Sequence, residues 1–379
     1  MLLLRLVCCA VLVLIICGCA ARPGSELFAP VPPPAGPGQT VKLIVATDRE
    51  PDAAQPGNFT TMRSAGLHFA SYAISVPPCH KTMHIEWSGR QPVDPASSFA
   101  LLSYAPLPDN APLPAPDPPR DANATDGAER RVVVFVHGYN TNYAESVLRM
   151  TQLLADNPSP GLAILFAWPS EGSLPGYVAD KDAVTFSRDH LTRLLTMLAE
   201  DGRYSGITLA GHSMGCWLVM ESLRQLRLTG RNKVIARLDN VLLAAPDIDL
   251  DVFRAQAETV GRLTPPITVL ASPDDRALDF SSRLGGDRYR LGELDVRDPR
   301  IQSLAEAYGI QLIDISNMAA TDSLNHDRFI GAAAALKTAL SPRKSENPLR
   351  RAGAYLLDAV ASVLEVPGRI GRAAAEGVQ

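Results

Sequence analysis

Five residues, Gly211-His212-Ser213-Met214-Gly215, place a hydroxyl between two glycines, each two positions away. The apolar run Ile207–Ala210 before them predicts a strand, and Cys216–Leu228 after them predicts a helix. A sharp strand-to-helix turn lifts such a serine into a strained conformation in which only small residues two places away avoid collision. The same turn aims backbone N–H groups at a reacting oxygen, and the helix N-terminus favours the negative charge that develops there. The Met214 N–H is the natural first donor. Taken alone, five residues of this kind also fit a glycine-rich turn without chemistry.

A serine hydroxyl is a weak nucleophile until a base accepts its proton, and the base needs a carboxylate to orient it. His326 is the only histidine after Ser213, in the segment Ser-Leu-Asn-His-Asp-Arg that follows the strand-like run Leu312–Ile315. Asp275, in ASPDD after the run Ile267–Ala271, is the chosen acid. Asp274 is its rival, and Asp247 and Asp249 in AAPDID are weaker ones. Paired aspartates in turns also serve as helix caps. Cys216 reads as a small buried hydrophobe. His80 and His84 lie four apart beside Cys79, but Pro77, Pro78 and the lack of a fourth ligand oppose a metal site. No metal or cofactor is expected.

The elements that must position these residues alternate. Strand-like runs at Val132–Val136, Leu162–Phe166, Ile207–Ala210, Val241–Ala245, Ile267–Ala271 and Leu312–Ile315 are separated by helical patterns at Tyr143–Leu154, Ala183–Leu198, Cys216–Leu228 and Ala332–Leu340. Continuous apolar strands between helices predict a mostly parallel, doubly wound α/β sheet with helices on both faces. Val41–Ala46 and Leu67–Val76 predict earlier strands. The chain has 379 residues, 46% of them hydrophobic and 20% charged, with a net charge of −4. The near balance of 36 basic and 40 acidic residues excludes an electrostatically implied nucleic-acid partner.

Residues 1–18 form an apolar run with one basic residue, Arg5, and read as an export signal. The run ends Ile16-Cys17-Gly18-Cys19, which resembles a bacterial lipoprotein signal and implies a lipidated Cys19 and a place in the cell envelope. An uncleaved anchor helix is the alternative. The prolines at 23, 30, 32, 33, 34 and 37 make residues 19–40 a tether. A second proline-rich stretch, Pro106 to Pro119, makes 41–130 a unit of strands plus connection, ahead of a core at 131–341. Residues 342–379 form a tail whose helical pattern at 352–365 is amphipathic, suited to a membrane surface or to packing. Only Cys79 and Cys216 remain to pair, so no disulfide framework is expected.

Several stretches together resemble a bacterial α/β-hydrolase family of unknown function, domain of unknown function 900. They are VATDRE, VHGYN (Val136–Asn140), FAWPSEGS (Phe166–Ser173), GYVADKDAV (Gly176–Val184), GHSMG, AAPDID and PDDRALDFS. The resemblance implies an α/β-hydrolase fold, a Ser213-Asp275-His326 triad and a second oxyanion N–H at Tyr139. His137 is expected to brace that loop rather than act as a base. Trp168 and Tyr177, with Tyr139 and Pro169, are expected to line the substrate pocket at the carboxyl ends of the strands, although Trp168 equally fits burial beneath the sheet edge. The expected activity is cleavage of a small-molecule or lipid carboxylic ester or thioester through an acyl-enzyme. The alternative is a catalytically idle envelope lipoprotein that uses the fold for binding.

Overall fold

The structure, a computed structural model, describes residues 22–340 apart from 35, 37, 109–112, 115–129 and 159–160, and only the backbone of 335–340. The amphipathic tail at 342–379 and Cys19 lie outside the described residues. The chain opens with β1 (Gln39–Pro51), β2 (Phe59–Val76), β3 (Ala100–Leu107) and β4 (Arg131–Val136), then α1 (Tyr143–Asp156) and β5 (Leu162–Phe166). Helices α2 (Tyr177–Phe186) and α3 (Arg188–Glu200) lead to β6 (Gly206–His212), α4 (Met214–Leu228), the short α5 (Asn232–Ile235) and β7 (Leu238–Ala244). There follow α6 (Leu250–Val260), β8 (Ile267–Ala271), α7 (Arg276–Leu284), α8 (Pro299–Tyr308), β9 (Ile310–Asp314) and α9 (Arg328–Leu340).

The strands form one sheet in the order β3-β2-β1-β5-β4-β6-β7-β8-β9. Only the β1–β2 and β2–β3 pairs are antiparallel; β1 joins β5 in parallel, so the N-terminal hairpin extends the same sheet as the core. Alternation along β4 serves both faces: Val132, Val134 and Val136 enter one core with α3, α4 and α6, while Phe135 enters the other with α1 and α9. Strand β4 lies between β5 and β6, so the chain winds in opposite directions from it. That reversal opens a crevice at the carboxyl ends of the central strands, where sheets of this kind bind ligands.

Three differences from the expected elements have physical reasons. The helix expected over 183–198 is two helices divided at Ser187, whose hydroxyl returns a bond to the Ala183 carbonyl and competes with continued helix. β3 lacks clear alternation and contains Pro106, which an edge strand tolerates. Residues 22–34 do not run free: Leu27 and Phe28 are fully buried, and Val31 N–H donates to the Leu101 carbonyl at 2.8 Å. Two apolar side chains among the prolines suffice to dock the segment. The later proline-rich connection also touches down, with Leu113 buried and the Tyr204 hydroxyl donating to the Pro114 carbonyl at 3.1 Å.

Candidate active site

Ser213 stands between β6 and α4 with φ 53° and ψ −123°. A non-glycine residue in so sparsely populated a conformation costs about 1–3 kcal/mol and needs its surroundings to hold it. Here Ser213 N–H donates to the Ala244 carbonyl at 2.9 Å, and its carbonyl accepts from Cys216 N–H at 3.0 Å and Asp247 N–H at 3.2 Å. The loop after β4 lies directly against this turn. A Cβ on Gly215 would sit 2.4 Å from the His137 carbonyl oxygen, and one on Gly138 would sit 2.9 Å from Ser213 Cβ. Both positions therefore require glycine. Among the described residues, the N–H groups of Met214 and Tyr139 donate to no backbone acceptor.

His326 lies in the loop between β9 and α9, and its Nδ1 meets Asp275 Oδ2 at 2.8 Å. Asp275 is buried and caps α7, its Oδ1 accepting from Ala277 and Leu278 N–H groups at 3.0 Å each. Asp274 points elsewhere: it pairs with Arg328, accepts from the Ser272 hydroxyl at 2.7 Å and from Asn325 Nδ2 at 3.1 Å. The structure thus brings Asp275, and not its neighbour, to the imidazole. The His326 ring packs 4.7 Å from that of His212, the residue before Ser213. Among the described residues, no hydrogen bond joins His326 Nε2 to the Ser213 hydroxyl.

The electrostatics favour a protonatable His326 and a neutral His212. Burial pulls the His326 pKa down, but the hydrogen bond and charge of Asp275, aided by Asp247 and Asp322, outweigh it and raise the value above the ordinary one. His212, buried against His326 and stacked on Phe329 at 4.3 Å, is pushed well below its usual value by burial and then by the His326 charge.

The loops around Ser213 rest on buried polar groups. His137 stacks on Trp168 at 4.9 Å, its Nδ1 lies 2.9 Å from the Gly138 carbonyl oxygen and its Nε2 3.2 Å from that of Trp168, and burial pushes its pKa down to about 3. Such a residue braces the loop. Trp168 lies in the same layer: it is fully buried and its Nε1 donates to the His137 carbonyl at 2.7 Å, so it supports the loop after β4 from beneath instead of lining a pocket. Tyr177 is half-exposed, with its ring 5.2 Å from that of Tyr139 and its hydroxyl shared between Asp247 (3.0 Å) and Ser281 (2.9 Å).

Two supporting residues were not singled out from the sequence. Arg49, fully buried, donates to the Trp168 carbonyl at 3.1 Å and the Ser170 carbonyl at 3.0 Å. Asp180 accepts from the Ser170 hydroxyl at 2.6 Å, Glu171 N–H at 2.7 Å and Asn140 N–H at 3.3 Å, tying the loop after β5 to the loop after β4. A charge at the end of the apolar run of β1, and one inside α2, were the signals available. Lys181 is half-buried with its Nζ enclosed: the Nζ has no hydrogen-bond partner and lies 3.6 Å over the Trp217 ring, and burial pushes its pKa down to about 8 against the pull of Asp247. His80 bonds Glu86 at 2.7 Å and Asp156 at 3.2 Å, while exposed Cys79 and buried Cys216 are unpaired. An open depression of about 570 Å³ borders Asp275, Arg276, Asp279 and Tyr289 without reaching Ser213.

A parallel sheet with a strained serine at the carboxyl end of a central strand, against a close-packed loop from its neighbour, defines an α/β-hydrolase. A family model described as an alpha/beta hydrolase of unknown function (DUF900) matches residues 122–343, more than half the chain, and the chain belongs to that family. No curated protein matches it in sequence. Among solved structures, an inhibited esterase B from Lactobacillus rhamnosis shares 12% identity over 61% of this chain and 74% of its own, with a TM-score of 0.31. Esterase Est22 with p-nitrophenol shares 12% over 79% and 80%, with a TM-score of 0.34. An esterase from Pyrococcus furiosus shares 15% over 50% and 73%, with a TM-score of 0.27. Scores this low leave the fold assignment to the sheet topology and the family match.

Proposed function

We propose that the protein is a serine hydrolase that cleaves a carboxylic ester or thioester through an acyl-enzyme. The observation that carries this reading is the 2.8 Å contact of Asp275 with His326, in a ring packed beside the residue that precedes a strained Ser213. Ser213 Oγ attacks the acyl carbon while its proton passes to His326 Nε2. Asp275 holds the imidazole by Nδ1 and stabilises the cation that forms. The Met214 and Tyr139 N–H groups receive the oxyanion, each contributing about 3–4 kcal/mol to the transition state. Collapse of the tetrahedral intermediate expels the alcohol or thiol, which takes the proton from His326. Water, deprotonated by the same imidazole, then attacks the acyl-serine; collapse of the second tetrahedral intermediate releases the acid as Ser213 Oγ leaves and takes the proton back from His326. No step requires a metal or cofactor.

The site is further proposed to face the bacterial envelope, on a chain anchored through a lipidated Cys19. The experiment is hydrolysis of p-nitrophenyl esters across a range of acyl lengths by the purified protein and by Ser213→Ala. Turnover of short esters, lost in the variant, is expected. Folded protein that turns over no ester of any length overturns the reading in favour of a binding module.

A further inference from the structure

The start of the described chain is fixed to the rim of the active site. Arg22 donates to Glu145 Oε1 at 2.5 Å, to the Asn140 carbonyl at 2.8 Å, to Asn140 Oδ1 at 3.1 Å and to the Gly172 carbonyl at 2.8 Å. Asn142 Nδ2 adds a bond to the Pro23 carbonyl at 2.9 Å. Asn140 follows Tyr139 in the oxyanion loop, and Gly172 opens the segment that carries Leu174 and Val178. Those two side chains are 71% and 75% exposed, and the Tyr139 hydroxyl donates to the Leu174 carbonyl. Phe280 and Leu284 on α7 are also exposed, but among the described residues no hydrogen bond ties Arg22 or Pro23 to that helix.

Arg22 comes three residues after Cys19 and four after the apolar run that ends at Gly18. Three residues of chain span at most about 10 Å. Whether the membrane holds a lipid on Cys19 or the apolar run itself, the first clamp among the described residues is at the loop that carries Tyr139 and Asn140 and not at the far end of a long proline-rich tether. An anchored domain samples the nearby surface at high effective concentration, so a small apolar contact suffices to orient it. The Arg22 charge is taken up by Glu145. Arg22 itself therefore offers no unpaired charge to the headgroups.

We infer that the rim bearing Leu174 and Val178 docks on the lipid bilayer and that the site draws its ester from a membrane lipid. The substrate part rests on the hydrolase reading; the docking part rests on the Arg22 clamp and the N-terminal segment. A site whose mouth is pressed to a bilayer meets acyl lipids at the interface, where exposed apolar side chains insert among the headgroups.

The test uses the full chain, purified from membranes with its N-terminus intact, in phosphatidylcholine vesicles that contain a fluorogenic phosphatidylcholine. A soluble short-chain ester is assayed in parallel. Leu174→Asp with Val178→Asp is expected to reduce lipid turnover about tenfold or more while soluble-ester turnover stays within about twofold. A second readout is independent of chemistry: an environment-sensitive fluorophore on Val178→Cys in a Cys79→Ser background, read as the difference from the labelled Cys79→Ser protein without Val178→Cys, should shift to the blue on vesicles. Equal lipid turnover by the wild type and the double variant, or a fluorophore that remains in a water-like environment, overturns docking. Hydrolysis of the soluble ester without hydrolysis of vesicle lipid overturns the lipid substrate and leaves the hydrolase reading standing.

Discussion

The carboxylate of Asp275 divides its two oxygens between two tasks: Oδ2 holds His326 Nδ1 at 2.8 Å, and Oδ1 caps α7 through the N–H groups of Ala277 and Leu278. The helix cap fixes the carboxylate, and the carboxylate fixes the imidazole. Neighbouring Asp274 is turned outward to Arg328.

Asp275→Asn and Asp274→Asn should therefore part company. The first is expected to lower kcat by about 10⁴-fold, because an amide at this position favours the wrong imidazole tautomer. The second is expected to leave kcat near wild type and to cost about 1 kcal/mol or less of stability through the partly exposed Arg328 pair. Steady-state kinetics and chemical denaturation of the two variants check both.

The direction of the His326 shift sets the pH profile. The base works only when neutral, and its pKa is raised because the Asp275 hydrogen bond and charge overcome burial. The imidazolium therefore persists to higher pH than an ordinary histidine, whose pKa is about 6.5. kcat/KM should rise with pH through a midpoint above that value. In Asp275→Asn the residual activity should show its midpoint moved to lower pH. A midpoint that stays put in the variant would assign the titration to another group.

Much of this arrangement was legible in the sequence because each element carried a local signature. The six core strands were visible as continuous apolar runs, and β8 (Ile267–Ala271) begins and ends as expected. The loop after β4, the elbow and the His326 loop follow from their places after such strands. What escaped was set by long-range contacts. Neither the burial of Leu27 and Phe28 nor the Arg22 clamp has a local signal, because both depend on partners more than a hundred residues away, such as Tyr143 and Glu145. Trp168 sits on a loop at a strand's carboxyl end, where pocket residues occur, yet its indole finds the His137 carbonyl and turns inward. Asp275 is chosen from its place in the turn after β8, with Asp274 as its rival, and the family resemblance points to the same residue; only the long-range contact with His326 separates the two.

Gly215→Ala tests the close approach of the elbow to the loop after β4. A methyl there meets two backbone carbonyl oxygens, of His137 at 2.4 Å and of Val136 at 2.5 Å, and neither is the end of a flexible side chain. Overpacking against backbone should cost about 1–3 kcal/mol of stability. Because the strain displaces the Tyr139 N–H, kcat should fall as well. Unchanged denaturation midpoint and turnover would contradict the packing described.

Asp180 ties the loop after β4, the proposed oxyanion loop, to the loop after β5 without touching the proposed reacting atoms. Asp180→Ala releases Asn140 N–H, Glu171 N–H and the Ser170 hydroxyl together. kcat is expected to drop about 10–100-fold with little change in KM, since the interaction disturbed is made in the transition state. Asp180→Asn keeps an acceptor and should recover part of the loss. A purely structural role would instead lower the folded fraction and leave kcat per folded molecule unchanged.

The central claim is that Ser213 is a nucleophile activated by His326. Treating the folded protein with a fluorophosphonate and mapping the modified peptide by mass spectrometry tests it most directly. Modification is expected at Ser213 alone, absent in Ser213→Ala and slowed by orders of magnitude in His326→Ala. Folded protein that takes up no label, or takes it at the same rate without His326, would contradict the claim.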